Sequence, residues 1–423
     1  MQKRPGPAKL GDHRIKKRKR SSCHARLGIF LLRGFRKQVR VFLAAAALLL
    51  LTGCWDGEEV NELALVSSMG IDRMENGDIE ITVEIVIPQQ QGTGGAQSGS
   101  SQKGSRQTLI RSATGETVGD AITKLQMILP RTVYWGQMEV LIVGEALARN
   151  GFREQLDFLV RDNEVRLRVM PFVIRGNVHK FYSSTYLLEQ TKAEVLSGES
   201  DRIFYKPVTI NPVIQSLGSK SKSPVLPFVD IPRDRKQKSP HIQGVAIFTG
   251  NHMSGVMEGD LFSGMKWLLN QINHDIETAK LQDPSHSLVS LEVLSSNTRF
   301  FPRLVGRTWQ MRVSIQTEQS MIQNTSHLAM SNPKYLKEVE KAMANHIRQK
   351  AERSIRKAQS MGADVFGFGE AIHRSNPREW SKLENHWDQI YPSLEVKVEV
   401  DVIVRRIGMN AQPVGLTKEE IEK

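Results

Sequence analysis

Eleven histidines, two cysteines and 45 acidic residues are the raw material for chemistry in this chain of 423 residues. No H-E-x-x-H and no His/Cys pairing occurs, so zinc has no ligand pattern. Ser354-Ile355-Arg356-Lys357 spells S-x-x-K. It lies within a long amphipathic helical stretch, where a serine is neither strained nor exposed as a nucleophile must be. Gly367-Phe368-Gly369-Glu370 lacks the third glycine of a dinucleotide fingerprint. Asp72, Asn76 and Asp78 are fragments of a calcium loop without its closing Glu, and Asn76-Gly77 is better explained as a hairpin turn. Trp380 and Trp387 keep helical spacing, which makes them core residues before ligand residues. No catalytic set and no metal or cofactor site emerges, and the expectation is a binding or assembly protein.

The pattern that does carry chemistry is Leu51-Thr52-Gly53-Cys54. It directly follows an uninterrupted apolar run at residues 41–51, too short for a ~30 Å hydrocarbon core that takes about 20 residues. The run fits the h-region of an export signal, and a basic n-region precedes it. Small residues before a cysteine at this place resemble the bacterial lipobox. That resemblance implies diacylglycerol on the Cys54 thiol, cleavage before Cys54 and acylation of the new amino group. Two or three chains anchor stably where one is marginal, since each buried CH₂ contributes about 0.8 kcal/mol. Cys54 is then the only cysteine of the mature chain, so no disulfide forms.

The leader also explains the charge. Residues 1–40 hold 14 Lys/Arg against Asp12 alone, leaving 44 of the 58 basic and 44 of the 45 acidic residues for the rest. The formal net charge of +13 therefore belongs to the leader. A nucleic-acid partner loses its footing, because phosphate binding needs excess Lys/Arg on the folded body.

The elements that position these residues are read from periodicity. Residues 79–87 alternate strictly, and Asn76-Gly77 before them makes residues 64–72 the partner strand of a hairpin. Residues 92–105 are a Gly/Ser/Gln-rich loop. Helices are expected at about 116–128 and 146–162, strands at 137–143 and 165–174. Pro, Ser and charge cluster at 219–240 and mark a boundary. Residues 244–248 and 253–257 flank Thr249-Gly250-Asn251 as a second hairpin. Strands follow at 289–294 and 309–317, then a helix at 333–358 with Leu336, Val339, Met343, Ile347, Ala351, Ile355 and Ala358 on one stripe. Arg348, Lys350, Arg353, Arg356 and Lys357 against Glu352 make its end basic, as a solvated face or as a contact for anionic headgroups. A shorter helix spans 377–388. The last strand, 394–406, puts valines on one side and charge on the other, as in an antiparallel sheet with one wet face.

Four stretches together resemble the Ger(x)C lipoproteins, the C subunits of nutrient germinant receptors in spore-forming Firmicutes. The first is Cys54-Trp55-Asp56 with Glu59-Val60-Asn61-Glu62 and Ser68-Met69-Gly70-Ile71-Asp72. The second is Gly136-Gln137 through Gly144-Glu145-Ala146, then Leu156-Asp157-Phe158-Leu159-Val160-Arg161-Asp162. The third is Gly244-Val245-Ala246-Ile247-Phe248 with Gly255. The fourth is Ala363-Asp364-Val365-Phe366-Gly367-Phe368-Gly369 with His373-Arg374, Pro377, Trp380 and Trp387, closing on Val404-Arg405-Arg406-Ile407-Gly408. The leader is longer than the family's usual one, and 92–105 looks like an insertion.

The resemblance implies a multi-domain α+β protein, three domains in number, with mixed and antiparallel sheets and flanking helices. The expected division is a signal peptide at 1–53, an N-terminal α+β domain at 54–188, a middle domain with linker and hairpin at 189–257, a C-terminal α+β domain at 258–408 and a tail at 409–423. It implies a non-enzymatic subunit anchored through Cys54 on the outer face of the spore's inner membrane, beside integral-membrane A and B subunits. The rival is a substrate-binding lipoprotein of an uptake system. That class wants two lobes of parallel sheet, which the alternating strands and hairpins argue against.

Overall fold

The computed structural model describes residues 59–87, 108–184, 189–232, 239–272, 274–282 and 287–408. Cys54, the leader, the 92–105 loop and the tail lie outside the described residues. The chain from Val60 onward packs as one compact unit.

A mixed sheet of nine strands begins with β1 (Leu63–Arg73), β2 (Ile79–Val86) and β3 (Thr108–Gly115). β1 and β2 form the expected hairpin, with Ile71 opposite Ile81, and Asp78 N donates to Asn76 Oδ1 in its turn at 3.1 Å. Helix α1 (Val118–Met127) follows, capped by the Thr117 side chain, which accepts from Asp120 N. β4 (Thr132–Tyr134) and β5 (Val140–Gly144) both run parallel to β1. Every residue of β5 is buried, as a strand covered on both faces requires. The helix expected at 146–162 is two helices, α2 (Glu145–Asn150) and α3 (Arg153–Arg161). Gly151 separates them at φ +101°, a conformation that continues no right-handed helix.

The chain continues through β6 (Met170–Ile174), α4 (Val178–Tyr182), α5 (Lys192–Ile203), α6 (Ile210–Leu217) and β7 (Val225–Asp230). β5, β6 and β7 are mutually parallel. β8 (His241–Thr249) and β9 (His252–Glu258) complete the sheet as the second expected hairpin. Strands from 63–174 and from 225–258 thus share one sheet, in the order β3-β2-β1-β5-β6-β7-β8-β9 with β4 beside β1.

Helix α7 (Asp260–Leu268) leads to a second sheet of β10 (Ile276–Lys280), β11 (Leu288–Val305), β12 (Thr308–Asn324) and β13 (Glu395–Arg406). β11 and β12 are one long hairpin, well beyond the two short strands expected. Helix α8 (Pro333–Ser360) crosses the sheet and buries most of the predicted stripe: Val339, Met343, Ile347, Ala351, Ile355 and Ala358 are in the core, while Leu336 is half-buried. The short helices α9 (Phe368–Ser375), α10 (Pro377–Leu383) and α11 (Trp387–Ile390) then return the chain to β13.

β13 keeps the expected faces, with Val398, Val402 and Val404 buried and Glu395, Lys397 and Asp401 exposed. It pairs parallel to β12, against the antiparallel expectation. Side-chain alternation reports which face is wet and not which way the neighbour runs. Direction is set here by α8, about 42 Å long at 1.5 Å per residue, which carries the chain back before β13 starts. With two sheets, one mixed and one mostly antiparallel, and helices against both, the class is α+β.

Candidate functional site

No group of three or more His, Cys, Asp or Glu side chains among the described residues is arranged to hold a metal. The polar groups that do converge are buried fasteners between distant elements. One of them, Asp364, borders a hollow beside a cleft between the 206–225 segment and the C-terminal helices.

The first fastener is Glu277 on β10. The strand alternates exposed and buried, and Glu277 shares the inward face with Ala279. Its Oε1 accepts from Ser263 Oγ at 2.9 Å and Trp267 Nε1 at 3.1 Å, both on α7. Its Oε2 accepts from Lys350 Nζ at 2.7 Å and lies 3.2 Å from His346 Nε2, both on α8. Burial pushes this carboxyl up, but the His346 hydrogen bond and the Lys350 charge outweigh burial and hold it at about 2. Lys350 is therefore no part of a solvated basic face: it is 8% exposed. Arg353 reaches Asp260 Oδ2 at 3.0 Å, and Arg356 lies 3.9 Å from Glu352. Three of the five cations read from sequence at this helix end thus meet acids, while Arg348 donates to the neutral Asn345. Ser354 is buried, donating to Leu261 O at 2.7 Å and Lys350 O at 2.9 Å, which removes it from nucleophilic roles.

The second fastener is Asp364, between α8 and α9. Its Oδ1 accepts from Gly367 N at 2.9 Å and Phe368 N at 3.0 Å, and its Oδ2 from Gly369 N at 2.7 Å and Trp387 Nε1 at 3.0 Å. One carboxylate thus satisfies the first amides of α9 and ties α11 to them. Burial raises the Asp364 carboxyl to about 6 despite these bonds, because every donor is neutral. Gly369 has no alternative, since a Cβ there would come within 2.8 Å of Trp380 Cη2 and 2.9 Å of Trp387 Nε1. Trp380 and Trp387 meet edge-on at 5.4 Å and are core residues, as their spacing implied. His373 stacks on Trp380 at 6.1 Å.

Two further fasteners lie in the first sheet. Asp72 Oδ2 accepts from Val178 N at 2.7 Å and so seats α4, with burial raising that carboxyl to about 6. Asp72 is therefore a helix seat, not a calcium ligand. Glu84 Oε2 accepts from Ser67 Oγ at 2.9 Å and Lys192 N at 3.1 Å, at the start of α5. At the β8–β9 turn, Asn251 Oδ1 accepts from Phe152 N at 3.1 Å and Arg153 N at 2.8 Å, capping α3 from about a hundred residues away.

The cleft has a volume of about 510 Å³ and is lined by Lys206, Val213, Ser219, Lys222, Leu269 and Glu370, among others. A smaller hollow of about 130 Å³ adjoins it, where Lys220, Thr249, Asp364, Trp387 and Tyr391 meet. Ser223 N donates to Asp364 O at 2.8 Å, fixing the 219–225 segment along its wall. The cleft is open and of mixed polarity, with no nucleophile–base pair in it.

Glu277, Lys350 and Asn251 were not singled out from sequence as fasteners. A signal existed for Lys350, which stands three residues after Ile347 and four before Ser354 on an otherwise apolar stripe. The other predicted site residue, Cys54, lies outside the described residues. No described helix is long and apolar enough to cross a membrane.

Family models match nearly the whole body of the chain. "Spore germination protein N-terminal domain" covers residues 56–231, and "Spore germination B3/ GerAC like, C-terminal" covers residues 243–408. Spore germination protein KC of Bacillus subtilis is 26% identical over 403 residues, covering 90% of this chain and 98% of the relative. Spore germination protein B3 of the same organism is 21% identical over 85% of this chain and 96% of its own length. Spore germination protein GerQC of Bacillus cereus is 23% identical over 85% and 96%. The crystal structure of the GerBC protein superposes with a TM-score of 0.54 at 16% identity, covering 83% of this chain and 100% of that one. At that identity the likeness is one of fold.

Proposed function

Because the chain belongs to the Ger(x)C family of spore germination proteins, we propose that it is the lipid-anchored, non-enzymatic subunit of a nutrient germinant receptor. Cys54 would carry the lipid and hold the body on the outer face of the spore's inner membrane, beside integral-membrane A and B subunits. The observation that carries the reading is the tandem of both germination domains, beginning two residues after Cys54 and ending at Gly408. Its support from the fold is architectural: the buried acids fasten distant elements together.

Such a subunit works by contacting the receptor's states differently, since only differential contact shifts an equilibrium. The stretches 54–188, 189–257 and 258–408 are offered as its structural divisions, the first two sharing a sheet. A binding protein of an uptake system is not favoured, because this topology does not make two parallel-sheet lobes around a cleft. The test is dipicolinic acid release from spores deleted for this chain, over a panel of amino acids and sugars. Loss of response to one nutrient class, with non-nutrient triggers intact, is expected. Normal release to every nutrient, in spores that carry no other receptor of the family, would refute it. Mass spectrometry of the mature N-terminus checks the anchor separately, as acyl groups on Cys54.

A further inference from the structure

The β11–β12 hairpin ends in a tip unlike the rest of the surface. From Arg299 to Arg312 the chain reads RFFPRLVGRTWQMR, with four arginines and no acid. The body as a whole balances its charge, so this is a local excess. Phe301, Leu304 and Val305 are exposed at 39%, 43% and 45%, and Leu304 and Val305 lie beyond the point where β13 begins opposite Gln310. The register puts Arg299, Phe301, Arg303 and Val305 on one face, with Arg312 opposite Phe301 and Arg307 in the turn after Gly306. The Arg312 guanidinium sits 4.3 Å from the Phe301 ring centroid. Of the acids on the neighbouring strand, Glu399 is shared by Lys397 at 2.8 Å and Arg312 at 3.4 Å, while Glu395 accepts only from the neutral Gln310 amide at 2.7 Å and offsets one positive charge. Arg299, Arg303 and Arg307 together therefore keep a net positive charge for something else.

We propose that this tip docks on the anionic headgroups of the membrane, with Leu304 and Val305 entering the interface and Arg299, Arg303 and Arg307 facing phosphates. Guanidinium forks suit phosphate oxygens, and apolar side chains ringed by arginine suit the headgroup boundary. The inference rests on the anchored reading above. Only five residues separate Cys54 from Val60, a tether of at most about 22 Å, so an anchored body must lie against the bilayer. At the tip, exposed apolar residues and excess positive charge coincide over a longer run than at Arg166-Leu167-Arg168, where one exposed leucine stands between two arginines. Each arginine near an anionic leaflet favours the docked state roughly five-fold.

The test uses the mature, lipidated protein in vesicles, where Cys54 is acylated and a new cysteine is the single thiol open to labelling. An environment-sensitive dye is placed on Leu304→Cys and, as a control, on Ser381→Cys, an exposed position on α10. In vesicles containing phosphatidylglycerol the Leu304→Cys dye should shift blue and be quenched by nitroxide lipids. In phosphatidylcholine alone the effect should shrink, and Arg303→Gln with Arg307→Gln should reduce the docked-to-free ratio roughly 25-fold. The control dye should stay in water throughout. A Leu304→Cys dye as water-exposed as the control on anionic vesicles would overturn the proposal. So would a shift that needs a co-reconstituted membrane subunit, since the occupant would then be protein. Failure of the anchor itself reads differently: the unlabelled protein would not float with phosphatidylcholine vesicles.

Discussion

Glu277 and Asp364 are both buried carboxylates gripped by four donors, yet one is held at about 2 and the other at about 6. Burial pushes both up. What separates them is the charge of their partners. Glu277 has the His346 ring at 3.2 Å and the Lys350 ammonium at 2.7 Å, whereas Asp364 has three backbone amides and an indole. Neutral donors satisfy the lone pairs without replacing the solvation a buried anion loses; a cation does. The same fastening of helix to neighbour is therefore achieved at opposite electrostatic signs, and the two sites should fail differently.

The largest expected effect is at Glu277. Glu277→Ala strands the Lys350 charge in the interior and should cost about 3–5 kcal/mol in chemical denaturation of the mature protein. Glu277→Met with Lys350→Met, which removes both charges, should recover most of that loss. Equal losses in the single and double variants would mean that packing, and not the pair, matters there. Asp364→Ala comes next, at about 2–4 kcal/mol, because it orphans buried amides at the start of α9. No charge-removing partner substitution should rescue it, since no partner is charged.

A pH series sharpens the contrast. Asp364 binds its proton more tightly folded than unfolded, so its contribution to stability falls as pH rises from about 4 to 7. Glu277 binds its proton less tightly folded, so its contribution is full above about 4.5 and is lost as pH falls towards 2. Each shift of two or more pH units corresponds to about 3 kcal/mol over its window. Denaturation of wild type against Asp364→Asn and Glu277→Gln at several pH values should give difference curves of opposite slope; parallel curves would erase the distinction. The smallest effect is at the β8–β9 turn, where Asn251→Ala should cost about 1–2 kcal/mol through the lost cap on α3. Amide exchange in α3 should rise with it while α8 stays protected.

Local features of this molecule were legible in the chain and long-range ones were not. The stripe on α8 and the valine face of β13 follow from period and need no partner to be seen. The direction of β13 depends on where α8 delivers the chain, which alternation does not encode. Gly151 is a single residue inside a helical pattern, and only its positive φ turns one helix into two. Glu277 meets Lys350 across 73 residues, and Asn251 caps a helix 98 residues earlier. Such pairs leave at most half a signal in sequence, a polar residue on an apolar face. The residues that carried the family resemblance, Asp72, Gly144, Asp364, Gly367 and Gly369 among them, sit at these fasteners. They mark how the fold closes.

If this protein works tethered to the membrane by Cys54 as part of a germinant receptor, the thiol is indispensable to the nutrient response. Dipicolinic acid release from Cys54→Ala spores, over the nutrient panel and beside the full deletion, is the decisive measurement. Cys54→Ala should lose the same nutrient class as the deletion, with non-nutrient release intact and the chain gone from the membrane fraction. A Cys54→Ala strain that responds normally where the deletion does not would contradict it.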